Sequence, residues 1–272
     1  MAWTERQHRL LAAMGLRLLQ PPHGEALGVA ERPAPPADAG VAAPVAPPAR
    51  AAAAAEPPAA PRPPAPTSAP VATGALASLD WPGLREAVAA CRACGLCERR
   101  TQTVFGVGAT QARWMVVGEA PGEQEDREGE PFVGAAGQLL DRMLAALQLT
   151  RADEPGAPPE RQVYIANTLK CRPPGNRNPT PDELATCEPF LARQIELLRP
   201  RLILAMGRFA VQALLRSDEP IGKLRGRVHQ YQGVPLVVTY HPAYLLRNLP
   251  EKAKAWDDLC LAAEVFERQG GA

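Results

Sequence analysis

Four carboxylates, Glu119, Glu123, Glu125 and Asp126, crowd the stretch VVGEAPGEQED. They follow two valines and a glycine. A carboxylate there can favour a cationic centre or take a proton from water. His241 lies in TYHPAYLLRN, directly before Pro242, which restricts its backbone. Asn167 closes the β-branched run VYIAN. The chain's six cysteines are the other groups fit for chemistry. Cys91, Cys94 and Cys97 share CRACGLCERR, Cys171 lies in KCRPPGN, Cys187 follows it, and Cys260 stands alone near the end. A Cys-x-x-Cys pair joined by two further thiolates makes a four-sulfur site for zinc or an iron–sulfur cluster. Cys91, Cys94, Cys171 and Cys187 form such a set. Cys97 can replace Cys94 on spacing alone, and spacing does not choose the metal. Four protein ligands leave no position open, so the site is structural. Cys260 reads as a buried thiol.

The elements that carry these residues alternate. WMVVG (114–118), VYIANT (163–168), RLILAMG (201–207) and PLVVTYH (235–241) read as strands. Helical spacing marks about 80–90, 134–149, 180–198, the stretch from 208 to about 215, and the end of the chain from about Glu251. Asp80 and Thr180 are the expected N-caps, each with a proline in the first turn. This alternation predicts an α/β fold: a three-layer α/β/α sandwich around a central four-stranded, mostly parallel sheet. Ligands of such sheets bind beyond the carboxyl ends of the strands. GEAPGEQED, NTLKC, the Gly207–Arg208 pair and HPAYLLRN are therefore expected to converge on one crevice.

The 272 residues carry a net charge of +1, so any polyanion site must be a local patch. No apolar run is long enough for a membrane span, and the N-terminus lacks the charge pattern of a signal peptide. A cytoplasmic protein is expected, in which cysteines serve as thiols or metal ligands. Residues 1–20 read as a short helix, with Leu10, Leu11, Met14 and Leu18 on one face. It can dock on its own domain or on a partner. Residues 21–75 form an alanine- and proline-rich linker: 15 of the 31 prolines lie within 21–70, a composition that buries too little apolar surface to fold. Residues 76–272 are the globular domain.

GEAPGEQED, PFVGAAGQLLDRML, VYIANTLKCRPPGNRNPTPDE and TYHPAYLLRN closely resemble, in order and spacing, the family 4 uracil-DNA glycosylases, which carry a [4Fe-4S] cluster. The resemblance covers about residues 88–266. It implies a uracil-DNA glycosylase-like fold and a monofunctional DNA-repair enzyme that flips uracil out of DNA and leaves an abasic site. It assigns the cluster to Cys91, Cys94, Cys171 and Cys187, with zinc as the alternative. It puts the first-motif carboxylate on Glu119 and a further acid on Glu125. The backbone at Ala120 faces the base, where better-known relatives carry an aspartate. Phe132 stacks on uracil, the Asn167 amide reads its N3–H and O4, and His241 donates to O2 as the base leaves as an anion. Asn176 is a helper for placing water. Glu123 and Asp126 remain a solvated acidic turn.

DNA is expected to be gripped by Lys170, Arg172 and Arg177, by the stretch of Lys223, Arg225 and Arg227, and by Arg247. Leu245 or Leu246 fills the gap left in the base stack. The implied partners are uracil-containing DNA, single- or double-stranded, and a replication or repair protein for the N-terminal helix. The protein is expected to be a monomer associated with the nucleoid through DNA. The competing readings are a non-catalytic iron–sulfur nucleic-acid-binding protein and a glycosylase with another main substrate, such as hypoxanthine.

Overall fold

A computed structural model describes residues 76–270. The helix expected over 1–20 and the linker over 21–75 lie outside the described residues. Three short apolar runs form neighbouring strands of the sheet: β1 (Trp114–Gly118), β2 (Val163–Asn167) and β3 (Leu202–Met206), each buried along its whole length. With β5 (Val234–Thr239) they run parallel, in the order β2-β1-β3-β5. Continuous rather than alternating hydrophobicity is what a strand covered on both faces requires.

The sheet has five strands, not the four expected. The fifth, β4 (Val228–Tyr231), pairs antiparallel with β5 on the outer edge. Its residues VHQY are nowhere fully buried, and Val228 is exposed. The strand therefore lacks the apolar run that betrayed the others. The turn joining it to β5 places Gln232 and Gly233 at positive φ (49° and 84°), the pattern of a two-residue hairpin.

Successive strand residues point to opposite faces. Trp114, Val116, Ile165 and Leu204 meet α3 (Gly134–Ala146) and α8 (Glu251–Gly270), through Leu140, Met143, Trp256 and Leu259. Met115, Val117, Ala166 and Ile203 meet α4 (Pro181–Leu198) and α5 (Arg208–Leu215), through Leu191, Ile195, Val211 and Leu214. The three-layer sandwich is thus built as the sequence predicts. Removing one of these fully buried leucines would cost ~2–5 kcal/mol.

A third cluster lies off the sheet. There α1 (Trp81–Ala90) packs Leu84 and Val88 near Phe190, Cys171 and Cys187. Both expected N-caps form. Asp80 accepts from Gly83 N–H, and Thr180 exchanges bonds with Glu183 in a capping box. Three short helices were not expected: one over Glu123–Glu128, α6 (Ile221–Leu224) and α7 (Pro242–Arg247). The acidic stretch is not a turn but α2 (Glu123–Glu128), with three acids in its first turn, where they meet the positive end of the helix dipole.

Candidate active site

The strand ends do converge. Gly118 closes β1, and a Cβ built there would lie 2.5 Å from Asn167 Oδ1 and 2.5 Å from Phe132 Cζ. A bare backbone at this point therefore lets the amide and the ring close in from β2 and from the turn before α3. The Phe132 ring in turn stacks on His241, with centroids 5.1 Å apart and planes 26° from parallel. Phe132 and Asn167 are both buried. Among the described residues no protein group bonds the Asn167 amide, whose backbone oxygen alone is engaged, by Lys170. The amide is available to a ligand.

His241 is the N-cap of α7 (Pro242–Arg247), and its Nδ1 accepts from Ala243 N–H at 3.2 Å. That bond puts the proton of the neutral ring on Nε2, which becomes a donor. Burial, reinforced by Arg247, lowers the imidazole pKa to about 4. The ring is thus a neutral donor at physiological pH. Gly207, at φ +90°, brings the end of β3 so close that a Cβ there would sit 3.1 Å from His241 Cβ.

Glu119 follows Gly118. Its carbonyl oxygen accepts from Thr168 Oγ1 and Leu169 N–H, tying the β1 end to the β2 end. Burial pushes its carboxyl pKa up, and the Arg208 guanidinium partly offsets this. Arg208, exposed just after β3, was marked in the sequence only as part of a strand-end segment.

Ala120, Gly122, Glu125, Asn176 and His241 line one open cavity. Phe132 and Asn167 do not line it; they join it through the ring stack and the Gly118 contact. Both oxygens of Glu125 hold backbone, Gly122 N–H at 3.0 Å and Val133 N–H at 3.2 Å. Glu125 thereby clamps the loop that carries Phe132. Asn176 Oδ1 accepts from Arg172 Nε at 2.7 Å.

Several expectations need correction. Asp126 is not solvated: it is 2% exposed, and both its oxygens accept Thr101 N–H at 3.0 Å. Its neighbour Glu123 is exposed and pairs with Arg127 and Arg172. Lys170 does not face DNA: it is 1% exposed, with Nζ donating to Asn167 O at 2.9 Å and to Gln194 Oε1 at 2.6 Å. Burial lowers its pKa to about 8, against the opposing pull of Cys187 and Cys171. Arg225 is likewise turned inward, with Nε 3.0 Å from Oδ2 of the fully buried Asp258. Leu245 is fully buried in the core, so it is no wedge, whereas Leu246 is 40% exposed on the same helix.

Of the remaining cations, Arg177 forms a bidentate pair with Glu183. Arg247 is exposed in the last turn of α7.

Cys91, Cys94, Cys171 and Cys187 all line a single cavity, and Cys97 lines it too. Arg100 Nη1 donates to Cys171 Sγ at 3.1 Å, and Lys170 N–H donates to Cys187 Sγ at 3.3 Å. Burial pushes the Cys94 and Cys171 thiols up, and Cys187 up to about 12. Among the described residues no three His, Cys, Asp or Glu side chains converge closely enough to hold a single ion. Cys260 packs against the core under α8.

The chain is similar to known proteins. The pattern of the Uracil DNA glycosylase superfamily matches residues 105–260. A type-4 uracil-DNA glycosylase of Archaeoglobus fulgidus is 44% identical over 167 residues, spanning 58% of this chain and 79% of that protein. One from Saccharolobus solfataricus is 43% identical over 192 residues, with 67% and 85% covered. One from Thermotoga maritima is 40% identical over 189 residues, with 68% and 94% covered. By this match and these identities, the chain belongs to the uracil-DNA glycosylase superfamily, among its type-4 members.

Proposed function

We propose that this uracil-DNA glycosylase acts in DNA repair by hydrolysing the bond between uracil and deoxyribose at the crevice formed by Gly118, Phe132, Asn167 and His241. The observation that carries this reading is the contact set itself: one backbone glycine touches both ring and amide, and the ring stacks on the imidazole.

A base inside a duplex is out of reach and must be flipped, at a cost of a few kcal/mol. Stacking on Phe132 returns ~1–3 kcal/mol of that. The Asn167 amide offers one acceptor and one donor edge. Uracil matches it with N3–H and O4, whereas cytosine presents the reverse pair and leaves buried groups unsatisfied. As the glycosidic bond breaks, its electron pair leaves with uracil and gathers at O2, toward which Nε2–H of His241 donates. The sugar becomes cationic and is favoured by a nearby carboxylate. Glu119, the residue directly after Gly118, is the carboxylate we assign to this role. Water then adds to the anomeric carbon, and the proton it loses passes by way of the carboxylate to the uracil anion, which leaves as neutral uracil. Glu125, engaged by two backbone N–H groups, shapes the loop, and Asn176 stands at the cavity rim for water.

Cys91, Cys94, Cys171 and Cys187 suit a [4Fe-4S] cluster. The donors are all sulfur and line one cavity, which suits a cluster held by four thiolates. The cluster's contribution when bound is structural: it clips α1 to the loop after β2. Iron and acid-labile sulfide in the purified protein, lost together in Cys187→Ala, test this against zinc.

DNA contact falls to Arg172, Arg177 and Arg247 around the crevice, with Leu246 as the apolar wedge. We infer a monomer working on nucleoid DNA in the cytoplasm. Among the described residues no helix is long and apolar enough to cross a membrane.

Oligonucleotides carrying one uracil, one hypoxanthine or one thymine test the main reading. Alkali-labile sites from uracil alone are expected. Cleavage of none would leave only a non-catalytic DNA-binding role, and stronger cleavage at hypoxanthine would change the main substrate.

A further inference from the structure

Lys170 is buried between the two sites described above, and neither role absorbs it. Its backbone N–H donates to Cys187 Sγ at 3.3 Å, and the next residue is Cys171. Its side chain turns away from solvent and toward the strand end: Nζ donates to the backbone oxygen of Asn167 at 2.9 Å and to Gln194 Oε1 at 2.6 Å.

Gln194, fully buried on α4, has no freedom to turn. An ammonium has donors only, so the amide must present Oε1 to Lys170. Its Nε2 then donates to Phe105 O at 2.9 Å and to Tyr164 OH at 3.2 Å. A rigid chain of bonds therefore runs from the loop around Phe105, through Gln194 and Lys170, to the last carbonyl of β2. That carbonyl belongs to the residue whose amide lies against Gly118 and Phe132. The peptide after Asn167 is held at both ends, by Lys170 at its oxygen and by Gly118 O at Thr168 N–H (3.1 Å), which narrows the directions open to the Cα–Cβ bond and to the amide it carries. A long cation is rarely kept in an interior unless its partners are set, and here both partners are.

We propose that Lys170 is a positioning residue, which aims the uracil-reading amide of Asn167 by holding its backbone from the cysteine side. The inference rests on the reading of Asn167 given above.

The test is a double-mutant cycle on the full chain: wild type, Lys170→Met, Asn167→Ala and the pair. Each is assayed for single-turnover release from an oligonucleotide with one uracil and for its unfolding midpoint. Lys170→Met is expected to slow release by ~10-fold or more in the wild-type background. In the Asn167→Ala background the further loss should be under ~2-fold, because the group being aimed is gone.

A purely structural lysine would lower the unfolding midpoint in both backgrounds and leave no such non-additivity in the rate. Equal losses of rate in both backgrounds would overturn the proposal while sparing the reading of Asn167. An Asn167→Ala chain as fast as wild type would overturn that reading and the proposal with it. If Lys170→Met does not accumulate as folded protein, Lys170→Gln, which keeps a donor for one acceptor, takes its place in the same cycle with the same expected pattern.

Discussion

Replacing Gly118 by alanine adds one methyl group and tests the whole geometry of the site. The new Cβ would lie 2.5 Å from Asn167 Oδ1, 2.5 Å from Phe132 Cζ and 2.6 Å from Phe132 Cε2. Ordinary carbon contacts are ~3.5–4.0 Å, so the overlap is about 1 Å on two sides at once. Neither neighbour can retreat cheaply. Phe132 is 5% exposed and held at φ 55°, with its ring already against His241. Asn167 is 2% exposed and tied by its carbonyl to Lys170.

Overpacking of this kind costs ~1–3 kcal/mol of stability, a drop of a few degrees in Tm for a domain of this size. The catalytic cost is larger, because a ~1 Å displacement of positioning groups lowers rates by ~100-fold. Gly118→Ala is therefore expected to unfold only slightly earlier yet release uracil ~100-fold more slowly. The assay is single-turnover release from a single-uracil oligonucleotide, with an unfolding curve on the same preparation. A Gly118→Ala chain within about twofold of wild type would refute the reasoning, since it would mean the ring and the amide do not need their present places.

His241→Ala should slow release by ~100- to 1,000-fold, as loss of one oxyanion-type donor does, while DNA binding in a mobility-shift titration changes little; equal losses would remove the donor role. Because burial and Arg247 lower the His241 pKa from 6.5 to about 4, the unfolded chain takes up the proton first. The stability held above pH 6.5 is then lost as pH falls toward 4, by ~3 kcal/mol at ~1.4 kcal/mol per unit. Chemical denaturation across that range should show this slope in wild type and a flatter one in His241→Asn. Arg225→Ala should lower the unfolding midpoint, since it strands the buried Asp258 carboxylate, and leave the salt dependence of DNA binding unchanged; Arg247→Ala should instead reduce that salt slope by about one. Leu246→Ala should weaken uracil release from duplex more than from single strands without loss of stability, whereas Leu245→Ala should destabilise the fold by ~2–5 kcal/mol; the opposite assignment in unfolding curves would sink the wedge reading.

The four parallel strands were legible because each is a short, unbroken apolar run, which a strand buried on both faces must be. Thr180 and Asp80 were legible as caps because capping is a bond between residues three apart. The meeting of Gly118, Phe132, Asn167 and His241 followed from the rule that places ligands at strand ends, together with motifs that kept their order. What could not be read locally was which charged and apolar side chains turn inward. Lys170 is buried because Gln194, on a helix 24 residues onward, supplies an acceptor, and Arg225 because Asp258 does so 33 residues onward. No local window around either cation contains the side chain that accepts from it. Leu245 and Leu246 are adjacent in a six-residue helix, and only the core beneath α7 distinguishes the buried one from the exposed one. Edge strand β4 has no apolar run because only one of its faces is partly covered: Tyr231 packs on the core while Val228 and Gln230 are exposed. Local pattern thus determined the elements and the residue types that serve the chemistry, whereas burial of a charge or choice of a wedge depends on atoms brought from distant parts of the chain, which only the tertiary structure decides.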